Sequence, residues 1–260
     1  MTSSDVGRIR VQCLGQSGFL LGFGDTTVLV DPYLSDSVER LDGPTMRRLR
    51  PPRFSPSAIH GVDWVMVTHA HRDHCDPETL LPISVASPTA RFLVSSGARQ
   101  QIVSLGLDGA RVVSAAERWY GLGPGLRVRP VPAAHPDIVR DDKGQPACVG
   151  FVFDWRGRRI YHAGDTSVTS ELIAILRDLR PLDVAFLPVN ERNFYKDKSG
   201  ILGNMSVREA SLMAEDLGVG TLVPMHWDMF APNSVFRVEL NAYFSAAGHR
   251  FDVRFEPELL

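Results

Sequence analysis

A largely apolar run, Val62 to Val67, empties straight into Thr68-His69-Ala70-His71-Arg72-Asp73-His74-Cys75-Asp76. A short apolar run bounded in this way reads as a buried strand, so these histidines leave a sheet edge on one loop. Five residues of ligand type, His69, His71, Asp73, His74 and Asp76, fall within eight positions. Presented from one turn, imidazoles and carboxylates converge while only a single loop is ordered, and neutral imidazole with carboxylate suits Zn, Mn or Fe. One histidine alone is more often an ordinary surface or satisfied polar residue. Five such groups together are not explained that way.

The rest of the chain is read around that loop. Arg8 to Leu14 alternates, Gly15 to Gly18 reads as a turn, and Phe19 to Phe23 and Thr26 to Val30 flank the Gly24-Asp25 hairpin signal. Pro32 to Ser57 carries many proline, serine and arginine residues without periodicity and is expected to be a long surface loop. A helical turn from Pro77, a strand at Phe92 to Ser95 and a helix at Ala98 to Leu105 follow. Strands are expected again at Val128 to Val131, Val149 to Asp154 and Arg158 to Tyr161, the first two separated by a polar loop at Asp137 to Gln145. Then come an amphipathic helix at Ser170 to Leu179, a strand at Asp183 to Val189, and a loop from 190 to 204. Ser206-Val207-Arg208-Glu209 is a capping-box signature for a helix that Gly218 closes. A strand at Thr221 to Met225, a helix from about Asn233 to Ala247 and a strand at Arg250 to Phe255 complete the order. It runs mostly β, then alternating β and α, twice. That order predicts an α/β sandwich of two sheets with helices outside, and a single domain over residues 1–260.

Composition narrows the function classes. The chain has 28 Lys+Arg against 30 Asp+Glu, a formal charge of −2, with no basic stripe interleaved with aromatics, so long nucleic acid is not an expected partner. Three cysteines, Cys13, Cys75 and Cys148, form no CxxC pair and predict free thiols. Residues 1–8 lack a basic region leading into an apolar run, and no segment has the uncharged length of a membrane span. A cytoplasmic protein without a membrane span is the expectation.

Further ligand types stand at other strand ends: His135 after Pro132-Ala133-Ala134, Asp165 in His162-Ala163-Gly164-Asp165-Thr166, and His226 in Pro224-Met225-His226-Trp227. Alone, Asp165 reads equally as a turn or helix cap, and His226 as a loop histidine. Together they make two groups, His69, His71 and His135 in one and Asp73, His74 and His226 in the other, with Asp165 able to bridge through its two oxygens.

In order and spacing, H-x-H-x-D-H at 69–74, His135, Asp165 and His226 resemble the metallo-β-lactamase-fold hydrolases over the whole chain. The chain is most similar to the L-ascorbate 6-phosphate lactonase group, through Thr68-His-x-His-x-Asp-His-x-Asp76, Tyr161-His-x-Gly-Asp165, Asn204-Met205-Ser206 and Pro224-x-His226-x-Asp228. One departure is His135, which that lactonase group lacks and the broader superfamily has; it argues against carrying over the group's metal stoichiometry and substrate. The resemblance implies a four-layer αβ/βα sandwich, two divalent metal ions (Zn or Mn, with Fe also compatible), a small-molecule substrate and a homo-oligomer.

Two such ions lower the pKa of a bound water to about 7 and polarise the oxygen under attack, so a metal-bound hydroxide serves as nucleophile. Asp73 is the expected proton shuttle to the leaving oxygen. In the superfamily the position of Asp31 commonly supports the histidine loop; a turn before Pro32 accounts for it equally. Asp76 either orients an imidazole or caps the helix at Pro77. His162 either supports the Gly-Asp turn or needs no function. Tyr33, Asn190, Arg192, Tyr195, Lys196, Lys198 and Asn204 lie in loops expected near the metal edge, where the basic ones can hold a phosphate or carboxylate or simply be solvated. Trp227 and Phe230 fit either a core or an apolar wall.

The expected activity is hydrolysis of a small polar, anionic lactone or cyclic ester. The rivals are a phosphodiesterase on a small diester or phospholipid-type substrate, an amidase, and a non-catalytic metal-binding protein, against which the full ligand set argues. A redox diiron role fits less well, because it normally needs a flavin-binding domain and none is expected after Leu260.

Overall fold

The computed structural model describes residues 7–260, so residues 1–6, on which the reading of the leader partly rests, lie outside the described residues. The first sheet has six strands in chain order: β1 (Arg10–Gly15), β2 (Gly18–Phe23), β3 (Thr26–Val30), β4 (Trp64–Val67), β5 (Arg91–Val94) and β6 (Val112–Ser114). β1, β2 and β3 form an antiparallel meander, and β3 to β6 pair in parallel. The parallel crossovers carry α1 (Ser37–Asp42), α2 (Pro77–Ala86) and α3 (Ser96–Ser104).

The second sheet repeats the plan. β7 (Tyr120–Gly123), β8 (Leu126–Pro132), β9 (Val149–Trp155) and β10 (Arg158–His162) are antiparallel neighbours. β11 (Val184–Pro188), β12 (Thr221–Met225) and β13 (Asp252–Val253) extend the sheet in parallel from β10. Between these strands lie α4 (Ser170–Asp178), α5 (Phe194–Lys198), α6 (Val207–Leu217) and α7 (Arg237–Ala246). The protein is the αβ/βα sandwich expected from the sequence, one sheet from each half.

The two-residue period of the strands sorts side chains between layers. Val28, Val30, Trp64, Met66 and Leu93 enter the core shared with the second sheet. Their neighbours Leu29, Val65, Val67, Phe92 and Val94 pack outward with Leu80 and Ile83 of α2 and Ala98 and Ile102 of α3. Across the sandwich Phe19 meets Phe186 at 4.6 Å and Phe23 meets Phe153 at 5.6 Å between ring centroids. Each such pair adds about 0.5–1.5 kcal/mol beyond the area it buries.

Several local expectations are revised. The 32–57 stretch is not structureless: it holds α1 and two short 3-10 turns, Pro44–Met46 and Pro56–Ala58, each opened by a proline whose fixed φ suits a first helical position. The 190–204 loop contains α5, capped by Asn193. The strands β6 and β7 are additions to the expected order: they are three and four residues long, and two of the four residues of β7 are glycine. The last helix begins at Arg237 because a 3-10 turn at Ala231–Asn233 with Pro232 occupies its expected start, and the final strand shrinks to two residues. The Ser206 to Glu209 capping box and left-handed Gly218 stand as expected.

Candidate metal centre

β3 and β4 of the first sheet and β8, β10 and β12 of the second all end on one edge of the sandwich. Their C-terminal ends deliver Asp31, the 68–74 loop, His135, Asp165 and His226 respectively. Three groups of donor atoms converge there, each within 4.8 Å: His69, His71 and His135; His69, His74 and Asp165; and Asp73, His74 and His226. The seven residues singled out as ligands are thus brought to one place.

Backbone and hydrogen bonds fix their orientation. Asp31 takes the Thr68 amide on Oδ1 at 2.8 Å, and on Oδ2 the Thr68 hydroxyl at 2.6 Å and His74 Nδ1 at 2.7 Å. His74 Nε2 is thereby turned to Asp165, 3.3 Å away. The Thr166 hydroxyl accepts from Ala134 N at 2.9 Å, tying the Asp165 turn to the His135 loop. Gly164, at φ 60°, lets the same turn pass over Thr68, where an added Cβ would come within 2.8 Å of the threonine side chain. His226 is itself left-handed at φ 59°, as is Gln16 at φ 53°. Such backbone costs about 1 kcal/mol or more per residue and is held by its surroundings, here by a His226 N–H bond to Gln16 O at 3.0 Å.

The electrostatics fit a cation. Burial pushes His69 well below its ordinary value and His135 down to about 4, so both are neutral imidazoles. Burial also opposes charge on His74 and His226, yet the Asp165 and Asp73 carboxylates outweigh it and raise them to about 9 and about 10. The same imidazoles hold Asp73 and Asp165 well below the carboxylate range against the opposite pull of burial. His69 Nε2, His74 Nε2 and Asp165 Oδ1 are buried without a hydrogen-bond partner. Buried polar atoms are ordinarily paired, and three unpaired donor atoms facing one another suit a divalent ion.

Other expectations change place. Asp76 does not reach an imidazole: it caps α2, accepting from Glu78 N, from Thr79 Oγ1 at 2.5 Å and from Ser37 Oγ at 2.9 Å. His162 supports the Gly-Asp turn, the first of its two alternatives: Nδ1 accepts from Gly164 N at 3.2 Å and Nε2 bonds Ser17 O at 2.9 Å, so it braces two turns. A cavity of about 240 Å³ opens over His71, Asp73, Asp165 and His226. None of the expected substrate contacts lines it. Tyr33 is buried beside Val38 and Phe230, its hydroxyl accepting from Val38 N. Lys196 is spent on the carbonyls of Asn190 and Glu191, and Arg192 pairs with Asp197. Tyr195 is exposed, and Asn190 and Asn204 are buried and bonded to each other. The cavity wall is instead Val38, Met46, Ile201, Leu202 and Phe230, with Asp42, Arg72 and Asn233 as its polar members. Trp227 is core.

Gln16 was not singled out by the sequence reading. Its amide donates to Asp73 Oδ2 and lies 3.0 Å from His226 Nε2. Only its place in the Gly15–Gly18 turn hinted at anything special. Arg72 and Asn233 likewise lie outside the expected site residues; the signal for Arg72 is that it is the one charged residue at the two open positions of H-x-H-x-D-H.

Comparison with known proteins gives the same outline. The family described as Beta-lactamase superfamily domain matches residues 26–227. An uncharacterized protein of Mycobacterium tuberculosis is 31% identical over 226 residues, covering 87% of this chain and 60% of that protein. The chain thus spans about three fifths of that relative's length. A UPF0173 metal-dependent hydrolase of Methanoculleus marisnigri is 29% identical over 227 residues, covering 85% of this chain and 82% of the relative. Among solved structures, Igni18, a metallo hydrolase from Ignicoccus hospitalis, shares the fold with a TM-score of 0.68 at 24% identity, covering 97% of each chain.

Proposed function

Because the chain belongs to the family of beta-lactamase superfamily domains, we propose that it is a metal-dependent hydrolase of a small anionic lactone or cyclic ester. The observation that carries this reading is the convergence of three donor groups on one open strand edge, with His69 Nε2, His74 Nε2 and Asp165 Oδ1 unpaired. His69, His71 and His135 would hold one divalent ion, Zn or Mn, and Asp73, His74 and His226 a second, with Asp165 between them. When bound, such ions activate water at neutral pH and polarise the oxygen under attack.

The chain's own groups supply the rest. Asp31 keeps His74 in one tautomer. Asp73 reaches the cavity with its carboxylate part-exposed, in position to take a proton and pass it to the leaving oxygen. Arg72, in the cavity wall and without an ion pair among the described residues, supports an anionic substrate in place of the basic 192–198 loop. The apolar wall of Val38, Met46, Ile201, Leu202 and Phe230 favours a second reading, a phosphodiester with an apolar part, such as a phospholipid-type substrate.

The same proposal takes residues 1–260 as one hydrolase domain, supported by ligands drawn from both sheets. It places the protein in a reducing, cytoplasmic setting, supported by three unpaired cysteines. No helix among the described residues is long and apolar enough to cross a membrane. The test is a paired rate assay of Mn-loaded and Zn-loaded protein on a phosphorylated sugar lactone and a small activated phosphodiester, with Asp165→Ala as control. Turnover of the lactone by the wild type alone supports the first reading, and turnover of the diester alone the second. Silence on both substrates with metal bound overturns both.

A further inference from the structure

Three buried asparagines from separate segments form a hydrogen-bonded chain that ends at the cavity. Asn204, before α6, donates Nδ2 to Asn190 Oδ1 at 3.0 Å; Asn190, after β11, donates Nδ2 to Asn233 Oδ1, also at 3.0 Å. Asn233 closes the 3-10 turn after β12 and lines the cavity that holds His71, Asp73, Asp165 and His226. Side-chain amides are two-sided, and a chain of them has a direction. The direction here leaves one buried atom without a partner, Asn204 Oδ1. Reversing every amide would instead strand an N–H group at Asn204, and an under-satisfied carbonyl is the more tolerable of the two. The far end is therefore set as well: with Oδ1 of Asn233 taken by Asn190, its Nδ2 is left without an acceptor among the described residues, on a residue that lines the cavity.

We propose that Asn233 is the substrate-reading donor of this site, its amide N–H directed at an acceptor oxygen of a carbonyl or phosphoryl group by the Asn204–Asn190–Asn233 chain. This rests on the hydrolase reading of the same cavity. The chain is a positioning device, and Asn233 is its point of contact. The two hydrogen bonds join the end of β11, the approach to α6 and the turn after β12, so the donor is held by the scaffold and need not be ordered when a substrate arrives.

The test uses metal-loaded wild type, Asn233→Ala, Asn233→Asp and Asn204→Ala, with inorganic phosphate as the acceptor-bearing probe in titration calorimetry and bound metal counted by elemental analysis. Loss of one neutral donor is expected to weaken phosphate binding about fivefold in Asn233→Ala. A larger loss is expected in Asn233→Asp, where an acceptor replaces the donor. Asn204→Ala, remote from the cavity, should fall between Asn233→Ala and wild type because Asn190 is then free to turn over. Metal content is expected to stay unchanged in all of them, which a merely structural loss at residue 233 would not combine with weaker phosphate binding. Phosphate affinity in Asn233→Ala equal to wild type, or no phosphate binding by the loaded wild type, overturns the assignment. A wild type that takes up no divalent metal overturns the hydrolase reading beneath it, and elemental analysis reads that separately.

Discussion

His74 and Asp31, 43 positions apart, are joined by a 2.7 Å bond from the imidazole Nδ1 to Asp31 Oδ2, and neither side chain is exposed to solvent. That bond decides which nitrogen of His74 faces Asp165. In Asp31→Asn the amide at this place is expected to favour the other tautomer while the Thr68 contact survives. Metal affinity should fall about 10- to 100-fold, measured by competition with a chelator. Wild-type affinity would remove Asp31 from the assembly of the centre.

The donor groups themselves make a stronger prediction. His71→Ala and Asp165→Ala each break one of the converging sets, so metal uptake should drop and hydrolysis disappear with it. Full activity in either variant would sink the ligand assignment.

Gln16 clamps Asp73 and stands beside His226. Replacing it by leucine keeps most of its volume and strips the donor from a carboxylate. The metal-free protein is expected to lose about 1–3 kcal/mol, read from urea unfolding. An unchanged midpoint would mean that Asp73 does not depend on that amide.

Gly164 and Gly218 separate two effects of adding a methyl group. Both have positive φ, 60° and 67°, but only at Gly164 does a new Cβ meet atoms, Thr68 Cβ at 2.8 Å and Val149 O at 2.9 Å. Gly218→Ala should pay the backbone term alone, about 1 kcal/mol. Gly164→Ala should lose more and should also weaken metal binding, because the Asp165 turn must lift off the histidine loop. Equal losses in unfolding experiments would show that the close approach does not matter.

Asp154 links the antiparallel strands of the second sheet. Burial raises its pKa, but bonds from Arg127 at 2.8 Å and Gly157 N at 3.0 Å, with Arg159 beside them, outweigh that and hold it below the ordinary aspartate value. A carboxylate with a depressed folded pKa stabilises fully above its unfolded value, and that contribution is lost as pH falls through the folded one. Asp154→Asn should therefore be less stable at pH 7 and show a shallower loss of stability below about pH 4. Parallel acid-unfolding curves for the two proteins would contradict this.

The contrast between what could and could not be read in advance has a physical basis. His69, His71, Asp73 and His74 announce themselves because ligand chemistry is packed into one short loop after an apolar strand. The repeated plan of the sheets was visible because strand and helix periods alternate along the chain. Gln16 was not visible, since its meaning comes from His226, 210 positions away. Lys196 and Arg192 fit either a grip on an anion or a solvated loop in sequence, because local sequence does not reveal that they are taken by nearby carbonyls and by Asp197. Asn190 and Asn204 stand out in sequence through a loop expected near the metal edge and, for Asn204, the Asn204-Met205-Ser206 motif, while Asn233, the one at the cavity, sits in a turn whose place reads as the start of a helix.

Each of the three donor groups takes members from both sheets: His135, Asp165 and His226 follow strands of the second, and every partner comes from the 69–74 loop of the first. Neither half can assemble any of the groups by itself. The chain between β6 and β7, around Ala116 to Trp119, is thus a natural place to divide the protein into two fragments. Chelation becomes a logical conjunction, and ion uptake would report the reunion of the fragments before any substrate is known.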